Sequence, residues 1–133
     1  MIRAAVLRFL YDICDSKCYR LHYVSLRLDH KEFIVSKICF LIESTNGNIS
    51  KAELEEYLSY SGDHLGRIFK QHKGLSISDY CKKTKLEAAK NLILLGDLSV
   101  NEIMEKLDIT SRGHFYKSFK EAYGCTPKEL KKQ

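Results

Sequence analysis

Two stretches of this sequence repeat one pattern, and the repeat constrains the fold more than any other feature. Residues 49–76 align with residues 98–126, first at an offset of 49 positions and then at an offset of 50. One residue inserted between segments that keep their apolar phase is typical of two copies of one supersecondary unit. The matched pairs are Ile49 with Leu98, Ser50 with Ser99, Leu54 with Ile103, Leu58 with Leu107, Tyr60 with Ile109, Ser61 with Thr110, His64 with His114, Leu65 with Phe115, Arg67 with Lys117, Phe69 with Phe119, Lys70 with Lys120, Gly74 with Gly124 and Ser76 with Thr126.

Each copy predicts a helix-turn-helix. A serine stands where the N-cap of the first helix belongs, and apolar residues recur at spacings of three and four in the second helix. The turn between the helices needs a residue that tolerates the left-handed backbone conformation, and Ser59 and Asp108 hold that position. The sequence therefore predicts two helix-turn-helix units, at about residues 50–74 and 99–124.

The segment between the two copies predicts one long helix. Ser76 is its expected N-cap, Asp79 lies in its first turn, and Gly96 follows its last residue, Leu95. Its length of roughly 28 Å is close to the roughly 34 Å between successive major-groove faces of B-DNA. Apolar residues cover so much of its circumference that we expect it to pack against two bodies. Its apolar face contains Tyr80, Cys81, Thr84, Ala88, Leu92 and Leu95, with Leu86, Ala89 and Ile93 beside it.

The part of the chain before the repeat is less regular. Helical spacing of apolar residues predicts a helix over residues 2–14 and another from about His30 to Ser44. Residues 17–28 fit either a short strand or an irregular linker. We therefore divide the chain into residues 1–35, an N-terminal helix and linker, and residues 36–133, which hold both repeat copies.

Composition excludes several classes of protein. The chain has 133 residues, 44% of them hydrophobic and 29% charged, which fits one globular domain. Its net charge of +5 is too modest to argue for nucleic acid on its own. Neither a signal peptide nor a membrane span is present in the sequence, so we expect a cytoplasmic protein.

The five cysteines form no C-x-x-C pair and no zinc-ligand spacing. A reducing compartment with packed thiols is therefore expected, with Cys39, Cys81 and Cys125 in apolar patterns and Cys14 and Cys18 ambiguous. His64 and His114 lie in separate copies, where they would not meet on one metal ion. We expect no metal and no cofactor.

The second helix of each copy carries the candidate functional residues. Long hydrogen-bond donors, an imidazole and an amide are placed at the helix start and on its outward face, where a recognition helix meets bases and phosphates. Any one lysine there is more simply a solvated side chain, but donors in equivalent places in both copies favour DNA binding. These residues are Asp63, His64, Arg67, Lys70 and Gln71 in the first copy, and Arg112, His114, Tyr116, Lys117 and Lys120 in the second.

These patterns resemble the AraC/XylS family of bacterial transcription regulators over roughly residues 35–131. The ending Phe-Lys-x-x-x-Gly-x-Thr-Pro, from Phe119 to Pro127, is its most specific motif. The second copy also matches at Ser99, Asn101, Glu102, Ile103, Leu107, Ser111 and the run from His114 to Lys120. The first copy matches at Tyr60, Ser61, Leu65, Arg67, Phe69, Lys70 and Gly74, and the connecting segment at Asp79, Tyr80, Leu86, Ala89, Leu92 and Ile93.

The resemblance implies an all-α domain of about seven helices, in which two helix-turn-helix units enter adjacent major-groove segments of promoter DNA. It implies double-stranded DNA and RNA polymerase as partners, and an activator as the type of regulator. The glycine usual in both turns is replaced here by Ser59 and Asp108, and an arginine of the connecting helix by Lys85. The family's base-reading positions fall on Asp63, Gly66 and Arg67, and on Arg112, Gly113, His114 and Lys117.

Two other classes of function remain to be weighed. An enzyme is disfavoured because the sequence has no nucleophile motif, no phosphate-binding glycine loop and no usefully spaced pair of carboxylates. A protein-interaction module of the same fold is the stronger alternative, acting through the N-terminal extension, residues 1–28, by pairing with a second copy as a homodimer or with another regulator. Residues 1–28 are either the end of a sensor or dimerisation domain or an extension of this domain alone, and the sequence leaves both open.

Overall fold

A computed structural model of the chain describes residues 29–133, which form an all-α structure with seven helices and no strand. This confirms the predicted fold class. The expectations for residues 2–14 and 17–28, and for Cys14 and Cys18, lie outside the described residues. The helices are α1 (His30–Ser44), α2 (Lys51–Leu58), α3 (Gly62–Lys73), α4 (Ile77–Leu95), α5 (Val100–Lys106), α6 (Arg112–Tyr123) and α7 (Pro127–Lys132).

Local sequence explains where most of these helices begin. In a capping box, the N-cap side chain accepts from the N3 backbone amide, while the N3 side chain accepts from the N-cap amide. Three helices, α2, α5 and α7, start in this way. The pairs are Ser50 with Glu53, Ser99 with Glu102 and Thr126 with Glu129.

The predicted left-handed residues are confirmed in both turns. Ser59 has φ 59° and Asp108 has φ 53°, so each helix-turn-helix bends at the expected position without glycine. The connecting helix α4 also has its predicted ends, because Asp79 N donates to Ser76 Oγ at 3.1 Å and Gly96 adopts φ 80°. The continuity of α4 over 19 residues follows from good caps at its ends and no breaker inside.

The described part of the chain divides into two compact units, residues 29–81 and residues 82–133, each of which has its own core. In the first unit, α1 packs on α3 through side chains that are almost fully buried. Ile38, Leu41, Leu65 and Phe69 all have 0% exposure. The first turns of α4 add Ile77, Tyr80 and Cys81 at the margin of this core.

The core of the second unit is built from the later turns of α4 together with α5, α6 and α7. Ala89, Ile103 and Phe119 are completely buried there. Phe119 packs against the ring of Tyr123 at a centroid separation of 4.8 Å, and Lys90 Nζ lies 4.8 Å from the same Tyr123 ring. The Tyr123 ring, near the C-terminal end of α6, thus contacts α4 through Lys90.

One part of the predicted apolar face of α4 is wrong. Leu95 is 69% exposed and Leu94 is 60% exposed, although the helical wheel assigned Leu95 to the packed face. The buried side chains of α4 are Ala89 and Ile93, which lie among α5 and α6 residues. Leu95 is the last helical residue, beyond the part of α4 that these partners cover.

The three cysteines predicted to pack do so only in part. Cys39 and Cys81 lie against the first core and Cys125 against the second, and all three side chains are half-buried. Burial raises the pKa of the Cys39 thiol. The proposed division at residues 35 and 36 stays a prediction, and α1 is continuous across it. No helix among residues 29–133 is long and apolar enough to cross a membrane.

Candidate nucleic-acid interface

The two candidate recognition helices, α3 and α6, begin in the same way. Ser61 Oγ accepts from His64 N, and Ser111 Oγ accepts from His114 N, both at 3.4 Å. Ser61 is therefore the counterpart of Ser111, and the predicted pairing of Ser61 with Thr110 is wrong. Because Ser59 still matches Asp108, the inserted residue lies between the left-handed turn residue and the N-cap, where an extra residue leaves both helices in phase.

The predicted site residues lie on the surface of their own units. Their exposure allows the donors to reach a ligand without any rearrangement of the core. In both helices the apolar residues of the opposite face, among them Leu65 and Phe115, are buried. Exposed candidates are Asp63, His64, Arg67, Lys70, Gln71, Arg112, Gly113, His114, Lys117 and Lys120, and the half-buried ones are Gly66 and Tyr116.

In the first unit, His64 lies against an aromatic neighbour. The rings of His64 and Tyr60 are 5.6 Å apart with an interplanar angle of 32°. The Tyr60 hydroxyl in turn shares a hydrogen bond of 3.0 Å with His30 Nε2, at the start of α1. Tyr60 thus links one candidate recognition side chain to α1, which sequence spacing did not indicate.

The start of α3 carries an ion pair that sequence reasoning missed. Lys51 Nζ donates to Asp63 Oδ1 at 2.8 Å, joining the first residue of α2 to the second residue of α3. This hydrogen bond and the charge of Lys51 lower the pKa of Asp63. The same hydrogen bond and the charge of Asp63 raise the pKa of Lys51. Both side chains are largely exposed, so the pair positions the carboxylate more than it stabilises the fold.

A second carboxylate of α2 also reaches α3. Gly62 N donates to Glu55 Oε1 at 2.6 Å, which satisfies the first amide of the helix. A Cβ at Gly62 would overlap with the Lys51 side chain and would lie 2.6 Å from Glu55 Oε1. Because Gly62 has no side chain, Lys51 and Glu55 of α2 can both lie against the start of α3.

The second unit uses different contacts at the same place. The Arg112 guanidinium lies 5.3 Å from the centre of the Tyr116 ring and donates to its hydroxyl at 3.4 Å. His114 Nδ1 is 3.5 Å from Ser118 Oγ. The first turn of α6 contains no acidic residue, whereas that of α3 contains Asp63.

Basic residues of α4 border the start of α6. A cleft of about 230 Å³ in the second unit is lined by Lys82 and Lys85 of α4 and by Ser111 and His114 of α6. Lys82 was not among the predicted site residues, because the helical pattern of α4 does not show which of its turns adjoins α6. The cleft adds positive charge beside the predicted contacts.

The two glycines at base-reading positions have open surroundings. Apart from the backbone of its own helix and its chain neighbours, a Cβ at Gly66 or Gly113 would meet no atom of residues 29–133 within 4 Å. Packing within the protein therefore does not require glycine at either place, in contrast to Gly62. Among residues 29–133, no three His, Cys, Asp or Glu side chains come together as a metal site.

Two helix-turn-helix units that follow one another in the sequence and are connected by a long helix, each with a donor-rich second helix, define a class of DNA-binding domain. The helix-turn-helix domain family matches residues 54–133. The chain belongs to the AraC/XylS family of helix-turn-helix transcription regulators. The relatives are regulators rather than enzymes, as the sequence predicts.

Similar proteins include the xylose operon regulatory protein of Escherichia coli, 38% identical over 71 residues, which are 53% of this chain and 18% of that protein. The C-terminal domain of the two-component response regulator yesN from Fusobacterium nucleatum superposes with a TM-score of 0.61 at 31% identity, covering 71% of this chain and 93% of that one.

A probable AraC family transcriptional regulator from Rhodopseudomonas palustris has a TM-score of 0.68 at 22% identity, over 74% of this chain and 94% of that one, which shows the shared fold. The chain spans only 10% and 30% of the length of two curated relatives that it matches, both transcription regulators of Bacillus subtilis.

Proposed function

We propose that this chain is a sequence-specific DNA-binding regulator that inserts α3 and α6 into adjacent major-groove segments of double-stranded promoter DNA. Side chains on the outward face of each helix read base edges, and neighbouring lysines neutralise phosphates. Transcription by RNA polymerase at the bound promoter is the activity that such a protein controls.

The observation that carries this proposal is the equivalence of the two exposed faces. His64, Arg67 and Lys70 recur as His114, Lys117 and Lys120 on helices that share a serine N-cap and a buried aromatic residue. Side chains that only face solvent need not repeat at matched positions. Two helices that bind the same kind of ligand need the same kinds of hydrogen-bond donor at those positions. Each helix carries three lysine or arginine residues against one carboxylate, which suits a polyanion.

The chemistry of the individual side chains suggests their roles. Arg67 presents a planar guanidinium on the outer face of α3 and is suited to a bidentate contact with guanine O6 and N7. Lys70, Lys117 and Lys120 are point charges, which suit phosphates. Gln71, on the same exposed side of α3, is suited to pair with adenine.

Salt dependence of binding to duplex DNA tests the proposal. With about five phosphate contacts, the logarithm of the association constant should fall against the logarithm of salt concentration with a slope near −4 to −5. A site selected from a random duplex pool supplies the specific ligand, and a scrambled duplex of equal length is the matched control.

The two functional readings give different results in this experiment. Affinity that does not change between low and high salt would contradict a phosphate-binding interface. Absence of duplex binding at every salt concentration, with the chain folded, would favour the protein-interaction module. Equal affinity for the selected and the scrambled duplex would leave DNA binding in place and remove sequence specificity.

A further inference from the structure

The first turns of the two recognition helices differ in charge at one equivalent position. Asp63 is the second residue of α3, and its counterpart in α6 is Gly113. The Asp63 side chain is 86% exposed, on the surface that carries His64 and Arg67. A carboxylate repels phosphates. On a DNA-binding surface, Asp63 is therefore suited to contact a base rather than the sugar-phosphate backbone.

The Asp63 carboxylate is held by a neighbouring helix. Lys51 is the first residue of α2, where the Ser50–Glu53 capping box fixes the start of the helix. Its ammonium group reaches Asp63 Oδ1 at 2.8 Å, and the missing side chain of Gly62 leaves room for its aliphatic part. Lys51 donates to Oδ1 in this pair, and a carboxylate that is 86% exposed has further acceptor capacity for a ligand.

An ionised carboxylate accepts hydrogen bonds and donates none, which limits the bases that it can recognise. In the major groove, guanine presents two acceptors, and thymine presents an acceptor and a methyl group. The donors there are the exocyclic amines, N4 of cytosine and N6 of adenine. An aspartate is already ionised near neutral pH, and the hydrogen bond and charge of Lys51 lower the pKa of Asp63 further.

We propose that Asp63 is a specificity-determining residue that accepts a hydrogen bond from an exocyclic amine in the major groove, and that Lys51 positions it. This inference rests on the proposed function of α3 as a recognition helix. Guanine or thymine opposite Asp63 leaves the carboxylate facing another acceptor, without a hydrogen bond. Asp63 therefore lets the first unit discriminate between bases, while its charge lowers the affinity for DNA in general. Gly113, at the equivalent position of the second unit, has no side chain that could discriminate in this way.

Deletion of a single amine from the DNA tests this contact. The wild-type site is selected from random duplexes, and each cytosine or adenine of the first half-site is replaced in turn by 2-pyrimidinone or purine, which lack the amine. At one position, wild-type affinity should fall about tenfold. The Asp63→Ala variant should bind the intact and the amine-deleted duplex equally. The base that shows the loss distinguishes cytosine from adenine.

Substitution of Lys51 tests the positioning role. Lys51→Met should reduce the penalty for amine deletion to less than about threefold, and Lys51→Arg should restore it, because a guanidinium can keep the ion pair. Glu105→Gln is the matched charge control. It removes one exposed carboxylate in the second unit and should leave the penalty at its wild-type value. Thermal unfolding midpoints establish that each variant is folded.

The possible failures are distinguishable. If the wild-type protein selects no DNA sequence, both the proposed function and the proposed role of Asp63 are contradicted. If it selects a site but every amine deletion affects wild type and Asp63→Ala alike, the proposed function stands and the role of Asp63 is overturned. A wild-type effect that Lys51→Met leaves unchanged overturns the positioning role of Lys51.

Discussion

The hydroxyl of Tyr80, in the first turn of α4, donates a hydrogen bond of 2.7 Å to Glu43 Oε1, near the end of α1. The Tyr80 ring also packs edge-on against Phe69 of α3, at a centroid separation of 5.3 Å. One side chain thus joins three helices of the first unit. The hydrogen bond to Glu43, followed by partial burial, raises the pKa of Tyr80 well above its usual value.

The Tyr80→Phe substitution should lower the free energy of unfolding by about 1 kcal/mol near neutral pH, because the hydrogen bond to Glu43 is lost while the ring contact with Phe69 remains. A raised folded-state pKa gives stability that is present below the unfolded value, near pH 10, and that is lost as pH rises further. Chemical denaturation between about pH 8 and pH 11 should therefore show the two proteins converging at high pH. A constant difference across this range would contradict the assignment.

Phe69→Ala and Phe119→Ala should each destabilise the protein by roughly 3–5 kcal/mol, because each removes a fully buried ring from the core of one unit. Calorimetry or denaturant titration measures the loss. Leu95→Ala is the control, since Leu95 is 69% exposed and should change stability by less than about 0.5 kcal/mol. A large effect of Leu95→Ala would mean that its side chain is packed in solution.

Arg67→Ala and Lys117→Ala should weaken DNA binding without unfolding the domain, because both side chains are exposed. Loss of Arg67 should cost roughly 1–3 kcal/mol and relax the preference at one base pair, whereas loss of Lys117 should weaken all sequences alike. Competition binding on the selected site and on its single-base variants separates these effects. Equal losses on specific and random DNA for Arg67→Ala would make it a phosphate contact instead.

Gly66→Ala should raise the free energy of unfolding by up to about 1 kcal/mol, because alanine favours the helix and its Cβ would clash with no neighbouring helix among the described residues. Gly124→Ala should lower the free energy of unfolding by about 1–2 kcal/mol, because Gly124 follows α6 with φ 76°, a left-handed conformation that alanine disfavours. Thermal unfolding of the two variants provides the comparison. Destabilisation by Gly66→Ala would show that the surface around it is not open in solution.

A monomer on its selected site should protect one face of the duplex over about two turns, because the proposal places α3 and α6 in adjacent major-groove segments. Hydroxyl-radical footprinting gives the extent of protection. Where the spacing of the two helices is shorter than the DNA turn, the duplex must bend at a cost of a few kcal/mol. Protection confined to one major-groove segment would mean that a single unit engages DNA.

Local sequence determined most of the helix boundaries. The capping boxes at Ser50 and Ser99, and the left-handed residues Ser59 and Asp108, depend on neighbours within a few positions. Such signals act through the backbone of one helix end and require no knowledge of packing. The repeat then indicated two units, because one pattern of buried positions occurs twice.

The candidate site was predictable only in outline. Helical periodicity separated the outward face of α3 and α6 from the buried one, so Arg67 and Lys117 were identified from the sequence. The contact between Arg112 and Tyr116 also follows from their spacing of four positions on one helix. The correspondence of the N-caps Ser61 and Ser111 could not be derived from the sequence. Residues in a turn have no periodic pattern that would show where the extra residue is inserted.

Tertiary structure alone decided the contacts between helices. Lys51 meets Asp63 across a turn, and Glu43 meets Tyr80 across 37 positions of sequence. Spacing within one helix does not indicate which side chains of another helix will be near, because that depends on the angle between the two and on how their cores pack. Leu95 shows the same limit, since its exposure is set by where its neighbours end rather than by its place on the helical wheel.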